Sequence, residues 1–418
     1  MPDQQRSRPG PGGVRGATGL AAAGTALIAV CYGLARFAYG LFVPTFRVAF
    51  GLDAATAGAV ASGSYVGYCV AIVVATAAGA RWGARPVALA AGACATVGTA
   101  VIAAAPGTLV LACGVVLAGS STGLASPPLA EAVARSAPPS REPRLQTVVN
   151  AGTGLGVLVS GPVALLLAGS WRAAWAAFSL VALVVTLWVW VAVPRPARPT
   201  ARPTDDPGRP TDAAPAGGRR GVPMPRGGGA LLVAAFMMGL GSAAVWTFGR
   251  DLVSSGTHSD LVGVVMWIAL GGAGLLGALA GDLTTRVGLA RCWTVGMLLL
   301  AAATAVLALG AGDPFVAVVA GAAFGAVYIA LTGLLLLWGT RVSPARPVVG
   351  VGAAFLLLAV GQACGAPLLG AVADAVTPAG AFGVAALVAV LGAGVRPRRR
   401  SGPASVAPER AVAPCATG

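Results

Sequence analysis

The sequence predicts an all-α polytopic membrane protein, with twelve transmembrane helices in two pseudo-symmetric six-helix halves. Three observations predict it. Of the 418 residues, 57% are hydrophobic and 10% charged, and the mean hydropathy is +0.83. That composition lies far outside the range of soluble globular domains. Apolar runs of about 20 residues, enough to cross a bilayer as a helix, recur on both sides of Pro194–Gly229. This Pro/Arg-rich segment holds none of the bulky residues that build a core, so it reads as a linker. Finally, the arginines fall between the runs, where topology determinants sit.

The elements follow in order. A basic Pro/Gly-rich tail covers residues 1–16. The first half, residues 17–193, carries spans at Ala17–Phe46, Thr56–Gly79, Val87–Ala105, Thr108–Ala134, Thr147–Ala168 and Trp171–Val193. The apolar stretch from Ala17 is too long for a cleavable signal peptide and continues into a spanning pattern. After the linker, residues 194–229, the second half covers 230–395. Its spans are Ala230–Phe248, Leu261–Ala280, Cys292–Leu309, Phe315–Trp338, Val348–Ala373 and Ala379–Val395, and a second tail covers 396–418.

Charge orients these spans. All 28 basic residues are arginines, and the formal net charge is +15. In a twelve-span chain the tails, the linker and the pairs Arg81/Arg85, Arg286/Arg291 and Arg341/Arg346 share one side. Arg36, Arg47, Arg172 and Arg250 do not. The positive-inside rule then places both termini and the linker in the cytoplasm of a cell-membrane protein. The same distribution argues against nucleic acid as a partner, because no basic face with interleaved aromatics exists. The seven cysteines show no metal-ligand spacing, and one histidine, His258, leaves little for a triad or a zinc site. No cofactor or metal is implied, and no nucleophile/base constellation suggests an enzyme.

Sliding the chain by 205 residues superposes Arg81 and Gly83 on Arg286 and Gly288, Gly156 on Gly361, and Pro162 on Pro367. Two parallel six-helix repeats across a cytoplasmic linker form an architecture with a binding site at the repeat interface.

Several segments resemble the major facilitator superfamily. They are the loops GARWGAR (Gly79–Arg85) and GDLTTRVG (Gly281–Gly288), GTGLGVLVSGP followed by WRAAWAAF, and GQACGAPLLGAVAD. The first span, RFAYGLFVPTFRVAFGLDAATAG, and the seventh, VWTFGRDL, resemble the YbfB/YjiJ-like branch. The resemblance implies a secondary transporter that moves a small organic molecule by alternating access, working as a monomer with protons as a partner, export included. The sequence also departs from the family pattern. Ala80 and Thr285 stand where loop acidic residues are expected, and ACGVVLAGSSTGLA lacks the arginine of proton-coupled members. Two other readings therefore stay open: an uncoupled facilitator or importer of organic anions anchored by Arg36, and a non-transporting receptor or scaffold.

Arg36 carries most of the chemistry, because a guanidinium inside a span costs a few kcal/mol unless it snorkels or finds a partner. It reads as near the outer third of the first span, either an anion anchor or a headgroup contact. Arg250 and Asp251 end the seventh span and form an external gate or an interfacial ion pair. Trp246 reads as a stacking surface or a member of the interfacial aromatic belt. Asn150 and Gln362 should face the bundle interior, binding substrate or another helix, and Tyr65 joins them with Tyr68 and Tyr328. Gly152/Gly156 and Gly361/Gly365 read as helix-packing sites. Arg81, Gly83, Asp282, Arg286 and Gly288 read as a cytoplasmic gate. Glu131 and Asp282 lie near cytoplasmic ends and Asp374 near an outer end, leaving no carboxylate clearly at mid-depth.

Overall fold

The structure, a computed structural model, describes residues 11–136, 142–167, 169–192, 228–344 and 347–397. Of the linker expected at 194–229, residues 194–227 lie outside the described residues, as do the outermost tails and the Arg81 and Glu131 side chains, while Gly228 and Gly229 already belong to the next helix. Helix α1 consists of Pro11–Ile28, a π-helical stretch Ala29–Phe37, and Ala38–Phe50. It is followed by α2 (Ala54–Trp82), α3 (Ala84–Ala103), α4 (Thr108–Ser136), α5 (Glu142–Leu166) and α6 (Trp171–Ala192). Beyond the linker come α7 (Gly228–Thr257) and α8 (Asp260–Gly274, a 3₁₀ turn Leu275–Leu279, and Ala280–Val287). Then follow α9 (Leu289–Leu309), α10 (Pro314–Val342), α11 (Pro347–Ala375) and α12 (Pro378–Ala393). Among the described residues, 11 helices are long and apolar enough to cross a membrane, and α12 is a shorter apolar helix of 16 residues.

The helix starts are chemically marked. Ser259, Asp313 and Thr377 cap α8, α10 and α12 by accepting backbone N–H groups of the first turn. Pro314 and Pro378 stand at first helical positions, where no N–H is needed. Gly83 and Gly288 precede α3 and α9 with φ of 84° and 89°, a conformation that disfavours any side chain. Those two glycines are 205 residues apart, as are Pro162 and Pro367, each inside its helix. The 205-residue offset read from the sequence thus recurs at these two pairs of positions.

Packing follows the small residues. In an apolar solvent helices associate through close contact, which glycine and alanine allow. A Cβ on Gly156 would collide with the Ala29 carbonyl, and one on Gly361 with the Phe236 carbonyl. Gly40 likewise lets α1 rest on the backbone of α7 at Trp246. The chain before the linker meets the chain after it along α2–α11 and α5–α8. There Ser62 Oγ donates to Ala363 O (2.8 Å) and Trp267 Nε1 to Ser160 Oγ (3.0 Å). The most apolar window of α1 is 89% buried and that of α7 72%, against 28% for α6. Helices α1 and α7 are therefore central, and α6 presents most of its surface outward.

Helix ends gather in two sets. One set holds the Arg47–Asp251 pair, the Ala54–Asp374 contact, Arg172 against Ala105 and Trp171 against Phe46. The opposite set holds Ala192 and Gly228, the far ends of α6 and α7. Helix α7 runs nine residues past the expected end at Phe248, so Arg250 and Asp251 lie within it, not at its close. Helix α1 likewise continues through Pro44 and Arg47 to Phe50.

Candidate functional site

Arg36 lies midway along Gly19–Phe50, about 21 Å from Phe50 at 1.5 Å per residue. It is 4% exposed. The expected location in the outer third, with a headgroup within reach, is therefore corrected: the guanidinium is inside the bundle. Its Nη2 donates to Gln362 Oε1 on α11. Gln362, itself fully buried, donates from Nε2 to Tyr328 OH (3.1 Å) and Ser242 Oγ (3.5 Å). The guanidinium carbon stands 4.7 Å from the Tyr65 ring centroid, 4.8 Å from Phe37, 4.9 Å from Tyr68 and 5.7 Å from Tyr32. Burying arginine at a helix centre costs about 3 kcal/mol. Each desolvated ring face returns about 0.5–2 kcal/mol.

The rings are themselves fixed. Trp246 on α7 stacks on Phe37 with centroids 3.8 Å apart, and Tyr328 meets Trp246 edge-on at 5.0 Å. Tyr32 OH and Ser126 Oγ share a hydrogen bond of 2.7 Å, fastening Tyr32 to α4. Trp246 is 1% exposed, so it belongs to this cluster and not to an interfacial belt. Tyr32, Arg36 and Phe37 all lie in the π-helical stretch Ala29–Phe37. Such wide turns are rare and concentrate at functional sites.

Two small cavities flank Arg36 and Phe37, each with room for about one water molecule. One also touches Tyr32, Tyr68, Asn150, Thr153 and Thr332; the other touches Ser64, Tyr65, Trp246 and Thr247. Asn150 Nδ2 donates to Thr332 Oγ1 at 3.1 Å, joining α5 to α10. Around these cavities Arg36 Nε, Ser64 Oγ, Tyr68 OH, Trp246 Nε1 and Thr247 Oγ1 make no hydrogen bond. An unsatisfied buried donor costs about 1–3 kcal/mol. Among the described residues, no carboxylate lines either cavity.

A second charged cluster lies away from the centre. Arg47 pairs with Asp251, and its Nε donates to Leu52 O (3.3 Å). Arg250, 7% exposed, donates to Leu41 O and pairs with Asp260 at 3.1 Å. A cavity of about 760 Å³ opens beside them, lined by Arg47, Asp251, Ser254, His258 and Asp260. Nearby, Asp374 at the end of α11 accepts Ala55 N (2.7 Å) and Ala54 N (3.3 Å) at the start of α2. Asp53 accepts Thr56 N (2.7 Å), and hydrogen bonds from Thr56 hold its carboxyl below the usual range.

The structure thus brings Arg36, Tyr65, Trp246 and Gln362 together and sets Asn150 at the edge of the same group. It separates Arg250 and Asp251 from Arg36. Gly83 and Gly288 stand at corresponding turns. Asp282 and Arg286 are exposed and form no ion pair among the described residues. Ser64, Thr247, Arg47 and Asp260 were not singled out by sequence. Thr247 adjoins Trp246 and Ser64 adjoins Tyr65, and a hydroxyl next to an aromatic inside an apolar run is the signal that marks both.

A bundle of membrane-length helices, with central polar groups where its two sequence stretches meet, defines a polytopic protein of transporter type. The sequence model of the Major Facilitator Superfamily matches residues 25–359. The chain belongs to that superfamily. Among solved structures, a crystal structure of a mutant of the nucleoside transporter NupG is similar in fold, with a TM-score of 0.67 and 13% identity. That match covers 90% of this chain and 98% of the other. Curated protein sequences include none that matches. Family and fold point to a membrane transporter and away from an enzyme.

Proposed function

We propose that the protein moves a small organic anion across the cytoplasmic membrane by alternating access, with Arg36 as the anion anchor. The observation that carries this reading is Arg36 itself: a buried guanidinium held by an amide and ring faces, with no carboxylate against it. A charge left uncompensated in a bundle centre favours an incoming anion. In this reading α1–α6 and α7–α12 are two six-helix halves, α12 is the twelfth span, and arginine-rich ends face the cytoplasm. The halves rock about the Arg36 site. Arg47–Asp251 and the Asp374 cap close the outer side, while Arg81, Gly83, Asp282, Arg286 and Gly288 form the inner gate. The YbfB/YjiJ-like branch remains the subfamily the α1 and α7 motifs favour.

The lack of a carboxylate on either central cavity favours movement without a side-chain proton carrier over the proton-driven export that the family resemblance implies. Uptake of radiolabelled organic anions into proteoliposomes tests this, with wild type and Arg36→Ala compared, with and without a protonophore. The expected result is uptake that needs Arg36 and survives collapse of the pH gradient. Loss of uptake with the protonophore would instead support proton coupling. A second reading, a non-transporting receptor, draws on the small size of the central cavities. Anion binding without movement would favour it.

A further inference from the structure

The cavity beside Ser64 collects four hydrogen-bond donors that have no acceptor: Arg36 Nε, Ser64 Oγ, Trp246 Nε1 and Thr247 Oγ1. All four side chains are at least nine-tenths buried. They come from α1, α2 and α7, so the cavity sits where the two stretches of the chain meet. Protein interiors satisfy nearly all their buried polar atoms, and four unpaired donors on one water-sized cavity depart from that rule together. Their partner has to be rich in acceptors. Two of the groups, the guanidinium and indole N–H, can only donate, and the two hydroxyls are free to do the same.

The shape and charge narrow the ligand. A carboxylate has two oxygens with about four acceptor sites, which matches four donors. It carries one negative charge, which matches one guanidinium with no acidic neighbour on the cavity. Across Arg36 and Phe37 the adjoining cavity is walled by Tyr32, Tyr68, Tyr328 and Phe355, faces suited to a flat apolar ring. The donors are held in place beforehand, since Trp246 is stacked on Phe37 and the guanidinium lies over Tyr65.

We propose that the cavity formed by Arg36, Ser64, Trp246 and Thr247 is a carboxylate subsite, and that its ligand is a small aromatic monocarboxylate whose ring lies among Tyr32, Tyr68 and Tyr328. This rests on the anion-transport reading above and gives it a substrate class. Each cavity holds about one water, so the ligand enters when α1 and α7 part and the two cavities merge.

The test compares benzoate with benzamide, which share a shape and differ in charge, by calorimetric titration of the full chain in lipid nanodiscs. Benzoate should bind at least about tenfold more tightly than benzamide, the effect of a few charge-assisted hydrogen bonds. The double variant Ser64→Ala/Thr247→Val should weaken benzoate about tenfold, weaken benzamide by less, and leave the melting temperature unchanged. Neither hydroxyl has a partner at normal hydrogen-bond geometry, and Thr247 touches the Tyr65 hydroxyl, so their removal takes little from the fold. Equal binding of the two probes, binding of neither, or benzoate binding unaltered in the double variant would overturn the subsite and assign the cavity to a buried water. Uptake assays separate this from the parent reading. If other organic anions move in an Arg36-dependent way while the double variant behaves as wild type, transport stands and the subsite falls. If no anion moves but the double variant loses benzoate binding, the subsite stands and transport falls.

Discussion

Arg36 and Arg250 are the two buried arginines among the described residues, and their surroundings differ in one decisive way. Both leave Nε without a partner. Arg250 has a carboxylate, Asp260 at 3.1 Å, and a backbone carbonyl at Leu41. Arg36 has an amide oxygen and four aromatic rings. The charge of Arg250 is answered within the fold, so it ties α7 to α1 and α8. The charge of Arg36 is met by an amide and ring faces with no carboxylate among the described residues, which is why the proposed reading assigns it to a ligand. Burial alone does not separate a structural arginine from a binding one; the presence of an anion beside it does.

The sharpest way to break this comparison is to remove each arginine in turn. Arg36→Ala should reduce organic-anion uptake by about a hundredfold or more, the loss of a charge-assisted pair in a buried site. Arg250→Ala should lower stability by about 1–3 kcal/mol while leaving anion affinity nearly intact. Equal losses of affinity in the two variants would erase the distinction. A smaller effect is expected at Gln362→Leu, which removes the acceptor of Arg36 Nη2. Anion binding should fall about tenfold, and Gln362→Glu, which supplies an internal anion, should abolish it by occupying the guanidinium. Retained binding in Gln362→Glu would show that Arg36 does not face the ligand.

The outer cluster sharpens the contrast from the other side. Arg47 and Asp251 are 34% and 17% exposed, so their pair is partly screened and worth less than about 1 kcal/mol. Asp251→Asn should leave affinity unchanged and raise the thiol-labelling rate of a cysteine at Ser254 several-fold, since the tie between α1 and α7 loosens. The smallest effect belongs to Asp53. Its carboxyl is held low in the folded state, so its contribution is present above the unfolded carboxylate pKa and is lost as pH falls through the folded one. Asp53→Ala should therefore lower the melting temperature slightly at neutral pH, and the difference should vanish in acid.

The helices were legible because a bilayer imposes length and apolarity on every span, and the Gly83/Gly288 correspondence was legible because each stands at positive φ just before a helix. The end of α7 was not. Arg250 and Asp251 look like the close of a span, yet the helix continues to Thr257 because their charges meet Asp260 and Arg47. Arg36 and Gln362 stood out in sequence as polar groups in apolar runs. Their pairing did not, since 326 residues separate them. Ser64 and Thr247 were hidden for a different reason. Serine and threonine in a helix commonly satisfy themselves on the preceding turn, as Thr99, Ser121 and Thr304 do here. Only coordinates reveal the hydroxyls that do not.

The π-helical stretch Ala29–Phe37 has an evolutionary consequence. Its wide turns hold more residues than an α-helix fits into the same length. Loss of a single codon there would let α1 rewind to 3.6 residues per turn with the two flanking segments close to their present register, so the rearrangement would be confined to the stretch itself. A loss between Tyr32 and Arg36 would change the spacing of those two side chains while every helix survived. If the proposed site is right, its ligand chemistry is separable from the architecture by the smallest of in-frame deletions, and a related chain lacking one residue there should keep the bundle and recognise something else.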